Sequence, residues 1–290
     1  MRYYRYAALV LFAVSSAARA DDPSILDKAE SKFAKAGDAK VHYKSIGDGK
    51  TAVVFVHGWC CDNTVWADQV AALAGKVRTI ALDLPGYGKS DKPKTPYTMD
   101  LFADGVDAVL KDAGVEKAVL VGHSMGTPVV RQVYRKVPDK VAALVFVDGS
   151  LRPFTTDKAQ AEQFLSMFKE ETFKEVAPKF LSGMLPAADA ALKERVEKLV
   201  AAADPAVAIS SMKNMMDDKW WKEDPVKVPS QALMAPSPFW TDDYKAFVKK
   251  LVPDLDYREF PGTGHFFFLE KPKEFNAALI EFLTKQQVVK

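Results

Sequence analysis

The chain has 290 residues, 48% of them hydrophobic and 27% charged, and its 40 basic residues nearly balance 38 acidic ones for a net charge of +2. Disordered, collagen-like and coiled-coil classes do not have this composition, and the near-neutral balance gives no reason to expect a polyanion such as nucleic acid as partner. The length suits one large α/β unit carrying an insertion.

Residues 1–20 read as a cleaved secretory signal. Arg2 and Arg5 make a basic start, residues 7–14 a short apolar core, and Ala18 and Ala20 the small residues of a cleavage site before Asp21. The apolar run falls far short of the ~20 residues that span a bilayer, so an uncleaved anchor is the weaker reading and no stable membrane insertion is expected. Loss of Arg2, Arg5 and Arg19 with the signal takes the net charge from +2 to −1. The expected product is exported, periplasmic or extracellular, after cleavage near Ala20. Its two cysteines, Cys60 and Cys61, are neighbours. A bond between neighbours closes only a strained ring and removes little chain entropy. At least one buried thiol packing as a small hydrophobe is therefore expected, with a vicinal disulfide as the alternative. No His or second Cys pair stands at ligand spacing, so no metal site is expected.

In chain order, residues 38–46 read as a strand before a Gly-Asp-Gly turn, and 51–58 as a buried β-branched strand ending in glycine. Residues 63–74 have helical spacing, with Val65, Trp66, Val70 and Leu73 on one face. A buried strand over 77–84 and a helix over 99–113 follow, then a strand over 117–124, a helix over 127–137 and a strand over 141–148. Alternating strands and helices predict a mainly parallel sheet covered on both faces. From 151 to 227 strand character stops, and the segment carries five of the nine methionines among helical stretches. Strands return at 231–235 and 255–260, and a last helix covers about 273–286. The expected organisation is a signal at 1–20, an α/β core over 21–150, a helical cap over 151–227, and the rest of the core over 228–290.

Gly122-His123-Ser124-Met125-Gly126 lies between an apolar strand and a helix. Small residues flank the serine because a sharp strand-to-helix turn crowds its backbone and lifts the hydroxyl above the sheet edge. Gly86-Tyr87-Gly88-Lys89-Ser90 echoes a phosphate-binding loop, but Asp83 stands where the first glycine belongs.

These features resemble the α/β-hydrolase superfamily, in the branch of cap-bearing esterases, cofactor-free haloperoxidases and haloalkane dehalogenases. The resemblance runs from about Val41 to Leu283. His57-Gly58-Trp59 resembles the family's oxyanion loop, residues 83–91 its loop after the following strand, and residues 262–275 its catalytic-histidine segment. It implies an α/β-hydrolase fold, Ser124 as nucleophile, His265 as base, and an oxyanion hole from the backbone N–H groups of Trp59 and Met125. Of the other histidines, His42 is read as structural, and His123 as a packing neighbour of the nucleophile. Dehalogenases and epoxide hydrolases of this fold use an aspartate nucleophile, so Ser124 excludes their alkyl-enzyme chemistry.

The acid departs from the commoner pattern. Relatives carry an aspartate shortly after the penultimate strand, where this chain has Pro238. Asp148, at the end of the strand after the nucleophile, is favoured, as in a subset of haloalkane dehalogenases. Asp242 is the alternative, with Asp243 beside it. Phe154, Met184, Met215, Trp220, Trp240 and Phe266 are candidate pocket walls, although Phe and Met at helical spacing are more often cap core than pocket lining. The expected function is hydrolysis of small to medium carboxylic esters with an apolar acyl or alcohol group, using a small-molecule ester-like substrate, water and no cofactor. The same triad also suits lactone hydrolysis, perhydrolysis or carbon–carbon cleavage. A non-catalytic protein binding a small hydrophobic ligand on the same fold is the alternative from another class.

Overall fold

The computed structural model describes residues 24–289, so the secretory signal read at 1–20 lies outside the described residues. Eight strands form one sheet: β1 (Lys32–Ala36), β2 (Ala39–Ile46), β3 (Thr51–Val56), β4 (Arg78–Leu82), β5 (Lys117–His123), β6 (Val141–Val147), β7 (Ser230–Met234) and β8 (Asp256–Glu259), in the spatial order β1-β2-β4-β3-β5-β6-β7-β8. The β1–β2 and β2–β4 pairs are antiparallel, and every pair from β4–β3 onward is parallel. In the central strands nearly every residue is buried, as a sheet covered on both faces requires. Each fully buried Val, Leu or Phe side chain there contributes roughly 1.5–3 kcal/mol.

Helices Met99–Asp112, Gly126–Lys136 and Pro272–Lys285 form within a residue or two of the expected bounds. The helix expected at 63–74 splits into a 3-10 turn, Asn63–Trp66, and a helix, Ala67–Leu73. Strand β1 was not expected: in Lys-Phe-Ala-Lys-Ala only Ala34 is buried, so this edge strand carries almost no hydrophobic signal. Both cysteines are free and buried, as the packing reading expects.

Between β6 and β7 the chain forms four helices, Lys158–Leu165, Phe173–Ser182, Ala190–Ala201 and Pro205–Met215, and a 3-10 turn, Asp218–Trp220. Pro205 opens its helix at the first position, with Asp204 accepting from the N–H groups of Ala206 and Val207. This inserted segment is fastened to loops of the core. Trp59 Nε1 donates to Ala208 O at 2.8 Å, and Tyr87 OH to Ser211 Oγ at 2.8 Å. The loops that follow β3, β5, β6, β7 and β8 all leave the carboxyl edge of the sheet, where open α/β sheets place their ligands. Among the described residues no helix is long and apolar enough to cross a membrane.

Candidate active site

Ser124 follows β5 directly and has φ +53°, a strained left-handed conformation for a residue with a side chain. Its N–H donates to Val147 O at 2.9 Å, which ties the turn to β6. A Cβ on Gly122 would overlap the carbonyl of Gly126, so only glycine lets the strand and the returning helix approach this closely. Met125 is the N-cap of helix Gly126–Lys136, leaving its N–H at the positive end of the helix dipole.

Asp148 directly follows β6, also with positive φ, at +43°. Its Oδ1 accepts from Ala235 N at 3.0 Å, and its Oδ2 lies 2.6 Å from His265 Nδ1. The carboxylate accepts, so Nδ1 carries the proton and Nε2 keeps its lone pair. Asp242 and Asp243 stand elsewhere: exposed in the first turn of helix Asp242–Leu251, whose cap is Thr241. There they complement the helix dipole. The structure thus brings Asp148, and neither of the later aspartates, to His265.

His123 holds His265 from the other side. Its Nε2 donates to the His265 carbonyl at 2.9 Å, and the two rings lie 4.7 Å apart. Burial pushes the His123 imidazole well below its usual pKa, and the neighbouring His265 adds to this. It therefore stays neutral and acts as a donor, a role beyond the packing expected of it. His57 is neutral for the same reason of burial. Its Nδ1 donates to Gly58 O at 2.8 Å and its Nε2 accepts from Leu84 N at 2.9 Å, which fixes the turn that presents Trp59. The Trp59 ring meets Phe168 and Phe173 edge-on, with centroids 4.9 and 5.8 Å away.

His42 pairs with Asp83 at 2.8 Å, in keeping with its structural reading. Burial alone pushes the Asp83 carboxyl up, but hydrogen bonds from His42, Lys89 N and Asn63 N hold it below the usual carboxylate range. This knot anchors the loop after β4. A cavity of about 320 Å³ beside it is lined by Cys60, Cys61, Asp83 and Lys89 and by none of Ser124, His265 and Asp148.

The candidate wall residues divide. Phe266 is 1% exposed, its ring 4.9 Å from His123 and 5.4 Å from His265, so it packs behind both histidines within the core. Met215, Trp220 and Trp240 are buried, Trp240 against Tyr244 at 4.8 Å. Met184 accepts from His265 N through its carbonyl at 2.9 Å. Phe154 is 48% exposed and meets Phe239, itself 58% exposed, at 5.9 Å. Phe239 escaped the sequence reading because it sits in a loop with no periodicity. Among the described residues no group of three or more His, Cys, Asp or Glu is arranged to hold a metal ion.

The chain is similar to the AB hydrolase superfamily protein YisY of Bacillus subtilis, 26% identical over 254 residues that cover 82% of this chain and 93% of that one. It is also similar to the pimeloyl-[acyl-carrier protein] methyl ester esterase of Edwardsiella ictaluri, 28% identical over 268 residues, 85% of this chain and 98% of that one. Among solved structures, an esterase from Exiguobacterium antarcticum superposes with a TM-score of 0.77 at 21% identity, covering 88% of this chain and all of that chain, a likeness of fold. Residues 53–278 match the Alpha/beta hydrolase family, and the eight-stranded sheet with its turn at Ser124 agrees; the chain belongs to that family and is a hydrolase.

Proposed function

We propose that the protein is an exported serine esterase in which Ser124, His265 and Asp148 form the catalytic triad. The observation that carries this reading is the 2.6 Å contact between His265 Nδ1 and Asp148 Oδ2, with Ser124 in a strained turn bonded to Val147, the residue before Asp148. In the proposed reaction His265 Nε2 takes the Ser124 proton as Oγ attacks the acyl carbon. Asp148 keeps the imidazole in the required tautomer and stabilises its cation. The oxyanion accepts hydrogen bonds from Trp59 N–H and Met125 N–H, and such donors each supply ~3–4 kcal/mol to the transition state. The imidazolium then protonates the leaving alcohol. Water, deprotonated by the same nitrogen, attacks the acyl-enzyme, and the acid leaves.

Small to medium esters with an apolar acyl or alcohol group are the proposed substrates. The aromatic surroundings of Trp59 support this, with Phe168 and Phe173 packed against its ring. The relative named for methyl ester hydrolysis supports ester chemistry. The inserted helices are proposed to act as the cap over this site. Export is supported by the basic, apolar and small-residue order of residues 1–20. The test is hydrolysis of a p-nitrophenyl ester chain-length series, with a lactone series alongside, by wild type and Ser124→Ala. Serine-dependent turnover that favours short to medium acyl chains is expected. Absence of serine-dependent turnover on every ester would overturn the reading.

A further inference from the structure

We propose that Glu270 is a positioning residue for His265: its single carboxylate clamps the turn that carries the imidazole to the inserted helices. The proposal rests on the triad reading above. Glu270 Oε2 accepts from Gly264 N at 2.7 Å, and Oε1 accepts from Ala187 N at 3.0 Å. Gly264 directly precedes His265, whereas Ala187 belongs to the stretch between helices Phe173–Ser182 and Ala190–Ala201. A third bond lies alongside, from His265 N to Met184 O at 2.9 Å.

The two segments are built to touch. A Cβ on Gly264 would overlap the Met184 carbonyl and the Pro186 ring, so this glycine is demanded by the close approach of the insertion. The helix after the histidine, Phe267–Glu270, is a single turn and cannot orient the preceding residue by its own stiffness. Glu270 instead folds back from its end to the start of the same turn. Phe267 N donates to Gly264 O at 3.0 Å and completes the closure. Bonds from N–H groups to an ionised carboxylate are about twice as strong as neutral ones.

The imidazole is therefore held from two directions. Asp148 holds the ring and His123 the His265 carbonyl from the core, while Glu270 and Met184 tie the Gly264 and His265 N–H groups to the insertion. Loss of the clamp lets the turn shift, and a misplacement of about 1 Å in a catalytic group costs on the order of 10²-fold in rate.

The experiment measures kcat and KM on p-nitrophenyl butyrate for wild type, Glu270→Gln, Glu270→Ala and Ser124→Ala, with circular dichroism at the assay temperature to establish that each is folded. Glu270→Ala is expected to lower kcat about 10–100-fold with KM within about threefold. Glu270→Gln keeps one acceptor oxygen and turns an N–H donor toward the second amide, so an intermediate loss is expected. Should Glu270→Ala fail to fold, the isosteric glutamine variant carries the test. Folded variants with wild-type kcat would overturn the proposal, as would a rise in KM at constant kcat, which belongs to a residue that only shapes binding. Full turnover by Ser124→Ala would instead overturn the triad reading, so the two failures are distinct.

Discussion

His123 donates its Nε2–H to the main-chain carbonyl of His265 across 2.9 Å, so the residue before the serine and the residue proposed as its base are joined directly. A carbonyl only accepts, which fixes the His123 tautomer and leaves its buried Nδ1 without a hydrogen-bond partner. That geometry makes the histidine a brace.

Replacing it tests the brace. His123→Phe keeps a ring of similar shape against Phe266 and Phe268 but removes the donor. A net hydrogen bond of about 0.5–1.5 kcal/mol acting on the placement of His265 corresponds to a kcat lower by roughly 2–13-fold. The Tm is expected to change little, because the orphaned His265 carbonyl costs stability while removal of a buried unpartnered nitrogen restores some. Steady-state kinetics and a thermal melt read both effects. Unchanged kcat would reduce His123 to packing.

The same burial predicts a pH dependence of stability. His57 and His123 are both held below the ordinary histidine value, so in mildly acidic solution the unfolded chain binds protons that the folded chain refuses. Their contribution is whole above about pH 6.5 and is lost as the pH falls below it. Asp83, whose carboxyl is held low, adds its own loss only below about pH 4. Melting temperature should therefore fall between about pH 7 and pH 5, and the fall should be shallower in His123→Phe. A flat profile over that range would show that neither histidine resists protonation.

Asp148 and Asp242 separate cleanly. In Asp148→Asn the Oδ1 oxygen still accepts from Ala235 N, but the amide offers a donor to His265 and favours the wrong tautomer. A loss of about 10²–10⁴-fold in kcat is expected. Asp242→Asn lies exposed in a helix first turn, and its kcat should stay within about twofold. Kinetics of the two variants side by side decide the acid, and the reverse pattern would contradict the assignment.

Export has its own readout. Amino-terminal sequencing of the protein recovered from the exported fraction should begin at Asp21, the residue after Ala20. A chain that keeps Met1 and remains with the cytosol would contradict it.

Much of the candidate site is legible in the sequence. The glycines around Ser124, the apolar run of β5 and the helix behind it point to one sharp turn, because only that turn needs all three. Asp148 was legible as a strand end, although its geometry had to separate it from Asp242. Strand β1 was hidden because its lysines face solvent at a sheet edge and only Ala34 is buried. The Glu270 clamp was hidden for a different reason: its partners are main-chain N–H groups, which every residue but proline has, and one of them belongs to Ala187 in the distant insertion. Phe266 read as a pocket wall and lies in the core, since an aromatic residue beside a reactive group looks the same in sequence whether it faces a substrate or supports the group from behind.

The most direct measurement is to trap the acyl-enzyme. Wild-type protein is mixed with excess p-nitrophenyl acetate, quenched in acid within the first turnover, and mapped by peptide mass spectrometry. An acetyl group on Ser124, absent in Ser124→Ala and accumulating in Asp148→Asn only slowly, is the predicted result. Turnover with no acyl group on Ser124, or an acyl group carried by another residue, would contradict the account.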